Sequence, residues 1–402
     1  MNKKISLGMC ISLIIISITA TFAITMVVSK QIYSSIISNI SQRSENHEAV
    51  EEISRIISSH YFGSVDDTAN MNASLAEGYV NGLDVGINRY LTAAEYADYN
   101  AKLEGGVKGI GVETFFKAQT NQLIVTHVYE NSPAEKAGLQ KNDIITAINN
   151  ETVHITNYSV LEQMLYGSML SSVQVEYERN GETKVVEPML GFSIPGVIAR
   201  LEGNVGYVKI NGFYKNTASE FKEAVEKLID EGATAVVFDV RNTDDGSIEY
   251  AAQVIDVIVP TGTIATAKGK DGSTYKGNAV FTSENSSISG VNFAVLINKK
   301  TAGPAELFAC IMRDVARAQL VGSDTAGIGT MQELFTLEDG GAVLLTVALI
   351  EPVGGEAAIY NDIGLKPTIP VDLSVEDTAN LEILTPAQDA QLAAALNMLA
   401  GY

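Results

Sequence analysis

The stretch Ala235-Val-Val-Phe-Asp-Val240 is an apolar run interrupted by a single carboxylate. A run with no polar face is typical of a strand that is buried on both sides of a parallel sheet. Amphipathic patterns on either side predict one helix at 218–229 and another at 248–258. This alternation of strand and helix indicates an α/β core, which we assign to residues 195–375.

The alternation of strand and helix continues on both sides of residues 235–240. Further strands are predicted at 206–210, 293–297 and 342–350, and a further helix at 306–318. The predicted fold class is therefore α/β, within a larger α+β multidomain chain.

Length and charge limit the possible partners. The chain has 402 residues, which predicts two or three domains, and it carries 48 acidic against 27 basic side chains. Because phosphate backbones are bound through Lys and Arg, this excess of acid argues against a nucleic-acid partner and against binding to an anionic membrane surface.

The N-terminus carries a targeting signal. Lys3 and Lys4 precede an uncharged run at 5–28, which at helical rise is long enough to cross a hydrocarbon core of about 30 Å. We predict a membrane anchor at 1–30, with the rest of the chain outside the cytoplasm. A cleaved signal peptide is the alternative, although Thr21-Phe-Ala23 is only a weak cleavage site.

Cysteine and histidine are scarce. Cys10 and Cys310 both lie in apolar runs, so no disulfide framework is predicted. The sequence contains neither the HExxH nor the CxxC pattern. We therefore expect no metal and no other cofactor.

Helical patterns fill both ends of the chain. Residues 31–104 are predicted as a helical stalk and a small helical region, in which Thr92 and Glu95 form a candidate capping box. Residues 376–402 are predicted as a helical tail, with one capped helix running from Thr385 to Leu399.

Short alternating strands separated by Gly and Asn begin near residue 105. The order is Gly109-Ile-Gly-Val112, then Ser132-Pro-Ala-Glu-Lys-Ala-Gly138, then Asp143-Ile-Ile-Thr-Ala-Ile-Asn149. This order resembles a PDZ domain, which we place at 105–187. The resemblance implies that a peptide adds as an extra strand and that its terminal carboxylate is held by Gly109, Ile110, Gly111 and Val112. The alternative is that these glycines only form a tight turn.

Three segments of the core share one family pattern. They are Asp239-Val-Arg-Asn-Thr-Asp-Asp-Gly246, the run from Thr301 to Gln332, and Ile350-Glu-Pro-Val-Gly354 with Gly364-Leu-Lys-Pro367. Together they resemble the carboxyl-terminal processing peptidases, also called tail-specific proteases. The resemblance covers nearly the whole chain.

The resemblance implies a serine nucleophile, a lysine base and a glutamine that orients the lysine. Alignment on Glu306 puts Gly303 at the serine position, and alignment on the neighbouring glycines puts Ile328 at the lysine position; Gln332 keeps the glutamine. The predicted site therefore contains no intact catalytic dyad.

The predicted oxyanion loop also departs from the family. Asp244 and Asp245 replace a proline and a glycine, so only Gly246 remains of the glycine pair. A carboxylate near the backbone donors would oppose the developing negative charge that they stabilise.

Five other residues carry a hydroxyl or an amine near the missing dyad. Thr301, Lys299, Lys300, Ser323 and Thr330 all lie close in sequence. A shift of two residues moves an oxygen by several ångströms, whereas reacting atoms must approach within about 3–3.5 Å.

Three hypotheses remain open. The first is a membrane-anchored, extracytoplasmic pseudopeptidase that binds C-terminal peptide tails or regulates an active relative. The second is an active endopeptidase with a non-standard nucleophile, and the third is a non-enzymatic scaffold. The family resemblance also implies that the chain can form an oligomer.

Overall fold

A computed structural model describes residues 48–62, 68–83, 87–167, 171–275, 280–284, 288, 290–354 and 361–400, together with Thr21, Thr25 and Met26. The predicted membrane anchor at 1–30 and the stalk before residue 48 lie almost entirely outside these residues. No helix in the described part of the chain combines the length and the apolar character that a membrane crossing needs.

The chain divides into two compact units, Met1–Ser74 and Leu75–Tyr402. The first contains helix α1 (Glu48–His60), and helix α2 (Thr68–Asn81) runs across the boundary. In the second unit, helix α3 (Ala93–Gly105) begins at Thr92, whose hydroxyl accepts from the Glu95 N–H while the Glu95 carboxylate accepts from the Thr92 N–H. The predicted capping box is thus confirmed.

The prediction of a purely helical region before residue 104 is wrong at one place. Strand β1 (Arg89–Leu91) pairs antiparallel with residues 342–344 of the core. Three residues are too few to show a strand alternation in the sequence, so only the distant partner identifies this segment.

The PDZ-like region forms a sheet in the spatial order β3 (Val112–Lys117), β4 (Gln122–Val128), β5 (Ile144–Ile148), β7 (Val175–Arg179) and β8 (Glu182–Val186). Three short strands flank it, namely β2 (Lys108–Gly109), β6 (Glu151–Thr152) and β9 (Phe192–Ser193). Two short helices pack on it, α4 (Pro133–Lys136) and α5 (Tyr158–Gln163). As predicted, Ser132 caps α4 with Pro133 in the first turn.

The core contains the predicted parallel sheet. Its strands, in spatial order, are β10 (Val197–Glu202), β11 (Val205–Ile210), β12 (Ala235–Asp239), β15 (Asn292–Ile297), β16 (Gln319–Gly322) and β19 (Ile369–Pro370). β10 is antiparallel to β11, and the other neighbours are parallel. Every residue of β12 is buried, so the opening interpretation of 235–240 is confirmed.

Helices cover both faces of this sheet. On one face lie α6 (Thr217–Asp230), α7 (Ile248–Asp256) and α8 (Pro304–Asp314), and on the other lies α10 (Ala390–Leu399). A second, antiparallel sheet joins β1 to β13 (Gly262–Lys268), β14 (Val280–Ser283), β17 (Thr330–Thr336) and β18 (Ala342–Pro352). The mixed α/β fold class is therefore confirmed.

Two predicted helix boundaries are wrong. The helix predicted at 306–318 is α8, which ends at Asp314 because Arg317 takes a left-handed backbone conformation, with a φ of 61°, before β16. The final helix begins at Ala390, not near Thr385, because Thr385 bonds to Gln388 in a separate turn.

The final helix is clamped to the sheet by a buried ion network. Asp389 caps α10, because its Oδ1 accepts from the backbone N–H groups of Gln391 and Leu392. Its other oxygen accepts from Arg241 at 2.7 Å, and Arg241 also contacts Asp239 at 2.6 Å. All three side chains are almost fully buried, so each charge depends on the others for compensation. Helix α9 (Val375–Ala379) and a 3-10 turn (Leu381–Ile383) precede this clamp.

Candidate functional site

The carboxylate of Glu306 brings the two predicted dyad positions together. Its Oε2 accepts from the backbone N–H of Gly303 at 3.1 Å and from that of Ile328 at 2.7 Å. Because both N–H groups point at one oxygen, the two backbone nitrogens lie within about 6 Å of each other. The positions that the sequence aligned to the serine and the lysine are therefore neighbours, as the family resemblance implies.

The other oxygen of Glu306 extends this contact to the rest of the motif. Oε1 accepts from the Gly327 N–H at 2.8 Å and from the Thr325 hydroxyl. The Thr325 hydroxyl in turn accepts from the Leu365 N–H at 2.7 Å. Burial raises the pKa of the Glu306 carboxyl, and the four donors oppose that rise. From the sequence, Glu306 was only an alignment point and a residue of the first helical turn. Its position three residues after Gly303 was the one sign that its carboxylate could accept from the backbone there.

Gly303 begins α8 and takes a backbone conformation that suits glycine. Its φ is 55° and its ψ is −112°, and Pro304 occupies the first helical position, as predicted. A Cβ placed on Gly303 would meet no atom within 4 Å. The position therefore has room for a side chain, but a side chain there would carry backbone strain.

The other two positions aligned to the family motif, Ile328 and Gln332, supply neither a nucleophile nor a base. Ile328 presents a half-buried hydrocarbon, which needs no hydrogen-bond partner. Gln332 lies on β17, where its amide Nε2 donates to the Thr330 hydroxyl at 2.9 Å. The orienting role implied for Gln332 remains a prediction.

The side chain of Asp245 accepts a hydrogen bond from Gly246, the glycine that remains in the predicted oxyanion loop. Its Oδ1 accepts from the Gly246 N–H at 2.8 Å. Its Oδ2 accepts from the Tyr214 hydroxyl at 3.1 Å and forms an ion pair with Lys102 of α3. Sequence reasoning missed Lys102 and Tyr214, because nothing near them in the sequence points to the loop.

Gly246 is also required by packing. Its φ is 112°, and a Cβ there would lie 2.2 Å from the carbonyl oxygen of Phe213. This close approach accounts for the glycine without an oxyanion role.

Asp244, the other acidic substitution, is exposed beside this loop. Partial desolvation and the charge of Asp245 raise the pKa of its carboxyl. A developing negative charge near Gly246 would meet two carboxylates.

The candidate substitute nucleophiles and bases do not form a dyad. Thr301 is fully buried, with its hydroxyl donating to the Val240 carbonyl at 2.8 Å and accepting from the Asn298 N–H at 3.0 Å. Lys299 and Lys300 are exposed, whereas a lysine acts as a base only where burial disfavours its charge. Thr330 already accepts from Gln332, and Ser323 is half-buried on the edge of a cleft with the two lysines.

The PDZ-like loop offers one open donor. The Gly111 N–H has no acceptor among the residues that the structure describes, whereas the Ile110 N–H donates to the Leu165 carbonyl at 3.0 Å. Gly111 has a φ of 88°, and a Cβ there would lie 2.3 Å from the Ser132 Cβ. Gly109 and Val112 belong to β2 and β3, and Val112 is buried. Carboxylate binding by this loop remains a prediction.

Strand β3 is an edge strand facing α5. Within the described part of the chain it pairs only with β4. The Thr114 hydroxyl donates to Glu162, and the ring of Phe116 stacks on that of Tyr158 with centroids 4.0 Å apart. A peptide that added as a strand would do so along this edge.

No metal site is visible in the described residues, since nowhere do three His, Cys, Asp or Glu side chains gather closely enough to share an ion.

Comparison with known proteins matches both parts of the chain. The family model for peptidase family S41 matches residues 204–371, and that for the PDZ domain matches residues 109–188. The protein named "Probable CtpA-like serine protease" in Staphylococcus aureus strain N315 is 26% identical over 374 residues, which cover 92% of this chain and 73% of that protein. The carboxyl-terminal-processing protease of Synechocystis is 28% identical over 327 residues, covering 79% and 74%.

The protein named "Putative S41 protease" from Bacteroides fragilis shares the fold in its crystal structure. It is 18% identical, with a TM-score of 0.59 over 85% of this chain and 91% of the other. The chain thus joins a PDZ domain to a core of peptidase family S41, and it is a homologue of the carboxyl-terminal-processing proteases.

Proposed function

We propose that this chain binds the C-terminal tails of proteins without hydrolysing them. The observation that carries the proposal is the state of the Glu306 site, where Gly303 and Ile328 adjoin but supply neither a nucleophile nor a base. Serine-type hydrolysis needs a hydroxyl and an amine whose charge is disfavoured, and neither group has a substitute within reach.

The predicted oxyanion loop supports the same conclusion. In a working oxyanion site, preorganised N–H groups face the position of the developing charge. Here the Gly246 N–H already donates to Asp245, and Asp244 adds a second negative charge. An acyl-transfer transition state would be repelled where it should be stabilised.

The PDZ domain supplies the binding activity in this proposal. Its edge strand β3 and the open Gly111 N–H fit the addition of a peptide strand that ends in a carboxylate. In this proposal, the chain regulates an active relative by binding the same C-terminal tails.

The location is part of the proposal. The lysines at the N-terminus and the uncharged run at 5–28 support a single-pass anchor in the cell membrane, with the bulk of the chain outside the cytoplasm. Protease treatment of intact cells should digest residues after 30, and digestion that requires lysis would contradict this orientation.

Hydrolysis is tested with the full-length protein and an unstructured protein that ends in an apolar carboxylate tail. We expect no cleavage after prolonged incubation. Cleavage that disappears in Thr301→Ala or Ser323→Ala would establish the competing hypothesis of an endopeptidase with a non-standard nucleophile.

Binding is tested with a free-carboxylate peptide and its amidated twin. The acid should bind more tightly, and Thr114→Trp should weaken this binding because a large side chain at the contact between β3 and α5 would obstruct an added strand. Thr120→Trp, in an exposed turn, is the matched control. Equal affinity for acid and amide would favour a scaffold with a closed groove.

A further inference from the structure

The cleft that contains Ser323 and the two lysines is a crevice at the carboxyl ends of the parallel strands of the core. Its volume is about 580 Å³, and it is formed by the segments that follow β12, β15, β16 and β19. Loops at this edge of a parallel sheet converge, so their side chains can act on one ligand. The crevice lies beside the sheet face covered by α10, whereas Gly303 begins α8 on the opposite face.

One wall of this crevice is positively charged. Lys299 and Lys300 line it, and neither forms an ion pair within the part of the chain that the structure describes. Lys300 interacts electrostatically with Asp244, although the two side chains form no ion pair. Two adjacent lysines that form no ion pair with the described residues are notable in a chain with a net charge of −21, because acidic partners are abundant elsewhere.

Apolar side chains also line the crevice. They are Leu373, Val375, Ala379 and Leu381, of which Val375 is 90% exposed. A crevice lined by both apolar side chains and a pair of ammonium groups is complementary to a ligand with a hydrocarbon body and a negatively charged end.

Polar groups at the rim favour a peptide over a simple fatty acid. The Ser323 and Thr378 hydroxyls and the Asp372 carboxylate have no partner among the described residues. They can exchange hydrogen bonds with backbone amides, which a fatty acid lacks. The asparagines of the crevice do not serve this purpose, since Asn242 and Asn298 bond to each other and to neighbouring groups.

We propose that this crevice is a second carboxylate site, which holds the last two or three apolar residues of a peptide with their free carboxylate against Lys299 and Lys300. It goes beyond the PDZ-dependent binding proposed above, because it lies on the core and uses none of the PDZ residues. A chain with both sites binds two tails.

The proposal is tested by titrating the full-length protein with N-acetyl-Leu-Ala-Ala as the free acid, as the amide, and with octanoate. Wild-type protein should bind two equivalents of the acid. Thr114→Trp should abolish one class of site and retain the other, which should prefer the acid over both the amide and octanoate.

Changes within the crevice identify the second class. The double variant Lys299→Gln with Lys300→Gln should weaken it by roughly tenfold or more, because two charge-assisted contacts are removed. Lys222→Gln with Lys227→Gln removes the same charge from exposed positions of α6 and should have no effect. Val375→Asp should also weaken the site through repulsion, whereas Ile155→Asp, at an exposed position of the PDZ domain, should not.

The outcomes separate the two proposals. Unchanged binding in the Lys299/Lys300 double variant, or equal binding of acid and amide by Thr114→Trp protein, would overturn the crevice site. If the wild-type protein instead shows the crevice class of site but no class that depends on Thr114, PDZ-mediated binding is refuted and the crevice site stands.

Discussion

The Oδ1 of Asp245 accepts a hydrogen bond from the backbone N–H of Gly246 at 2.8 Å. The donor that the family resemblance assigns to the oxyanion is therefore used within the loop itself. Restoring the dyad side chains leaves this bond intact.

Restoration should consequently require three changes. We expect Gly303→Ser with Ile328→Lys to remain inactive, and the further change Asp245→Gly to produce cleavage of an unstructured protein, because it frees the Gly246 N–H. One recovered donor corresponds to roughly 10²-fold in rate. Mass spectrometry of the products provides the measurement, with Asp245→Gly alone as an inactive control. Full activity of the double variant would show that Asp245 does not obstruct the site.

Glu306→Gln should destabilise the core. An amide NH₂ in place of one carboxylate oxygen faces two buried donors and cannot accept from either. We expect a loss of about 3 kcal/mol in the free energy of unfolding. Glu223→Gln, on an exposed part of α6, should change it by less than about 0.5 kcal/mol. Equal effects in urea unfolding would mean that Glu306 does not hold the site together.

Gly303→Ala isolates the backbone strain at the start of α8. The new Cβ meets no neighbour, so a φ of 55° is the source of any cost, which we expect to be about 1–3 kcal/mol. Gly78→Ala is the matched control, since it also enters open space but within helix α2. That change should stabilise the protein by about 1 kcal/mol. Thermal unfolding should show shifts of opposite sign, and shifts of the same sign would contradict the strain.

Asp244→Asn should change the pH dependence of stability. The pKa of this carboxyl is raised in the folded state, so its contribution to stability is present below the unfolded value of about 3.9 and is lost as pH rises through the folded value. The variant should therefore be more stable than the wild type at pH 7, by a margin that shrinks towards pH 4. Urea unfolding across this range provides the test, and a margin that grows in acid would refute it.

Arg241→Met should be among the most damaging single changes. It leaves Asp239 and Asp389 buried without their partner, which costs about 3–5 kcal/mol. Lys222→Met breaks only an exposed pair with Glu226 and should cost less than about 1 kcal/mol. Comparable losses in the two variants would show that the buried network is not needed for stability.

The sequence predicts features that depend on local pattern or on motif alignment. The buried strand at 235–240 follows from its composition, and the proximity of Gly303 to Ile328 follows from alignment to one family. The direction of Asp245 could not be predicted, because its partner Lys102 is 143 residues away and neither residue carries a local sign of the contact. The start of the last helix was misplaced for a related reason, since Thr385 and Asp389 are both acceptable caps and Arg241 favours the second.

The clamp between Arg241 and Asp389 has a consequence for the order of events during synthesis. The two residues are 148 positions apart, and α10 packs on one face of the parallel sheet. The strands of the core emerge from the ribosome before the helix that covers them, so until residue 389 is made this face lacks its helix and Arg241 has only Asp239 of its two acidic partners. Completion of the core is therefore a late step, and a nascent chain halted before that point would be vulnerable to aggregation and degradation.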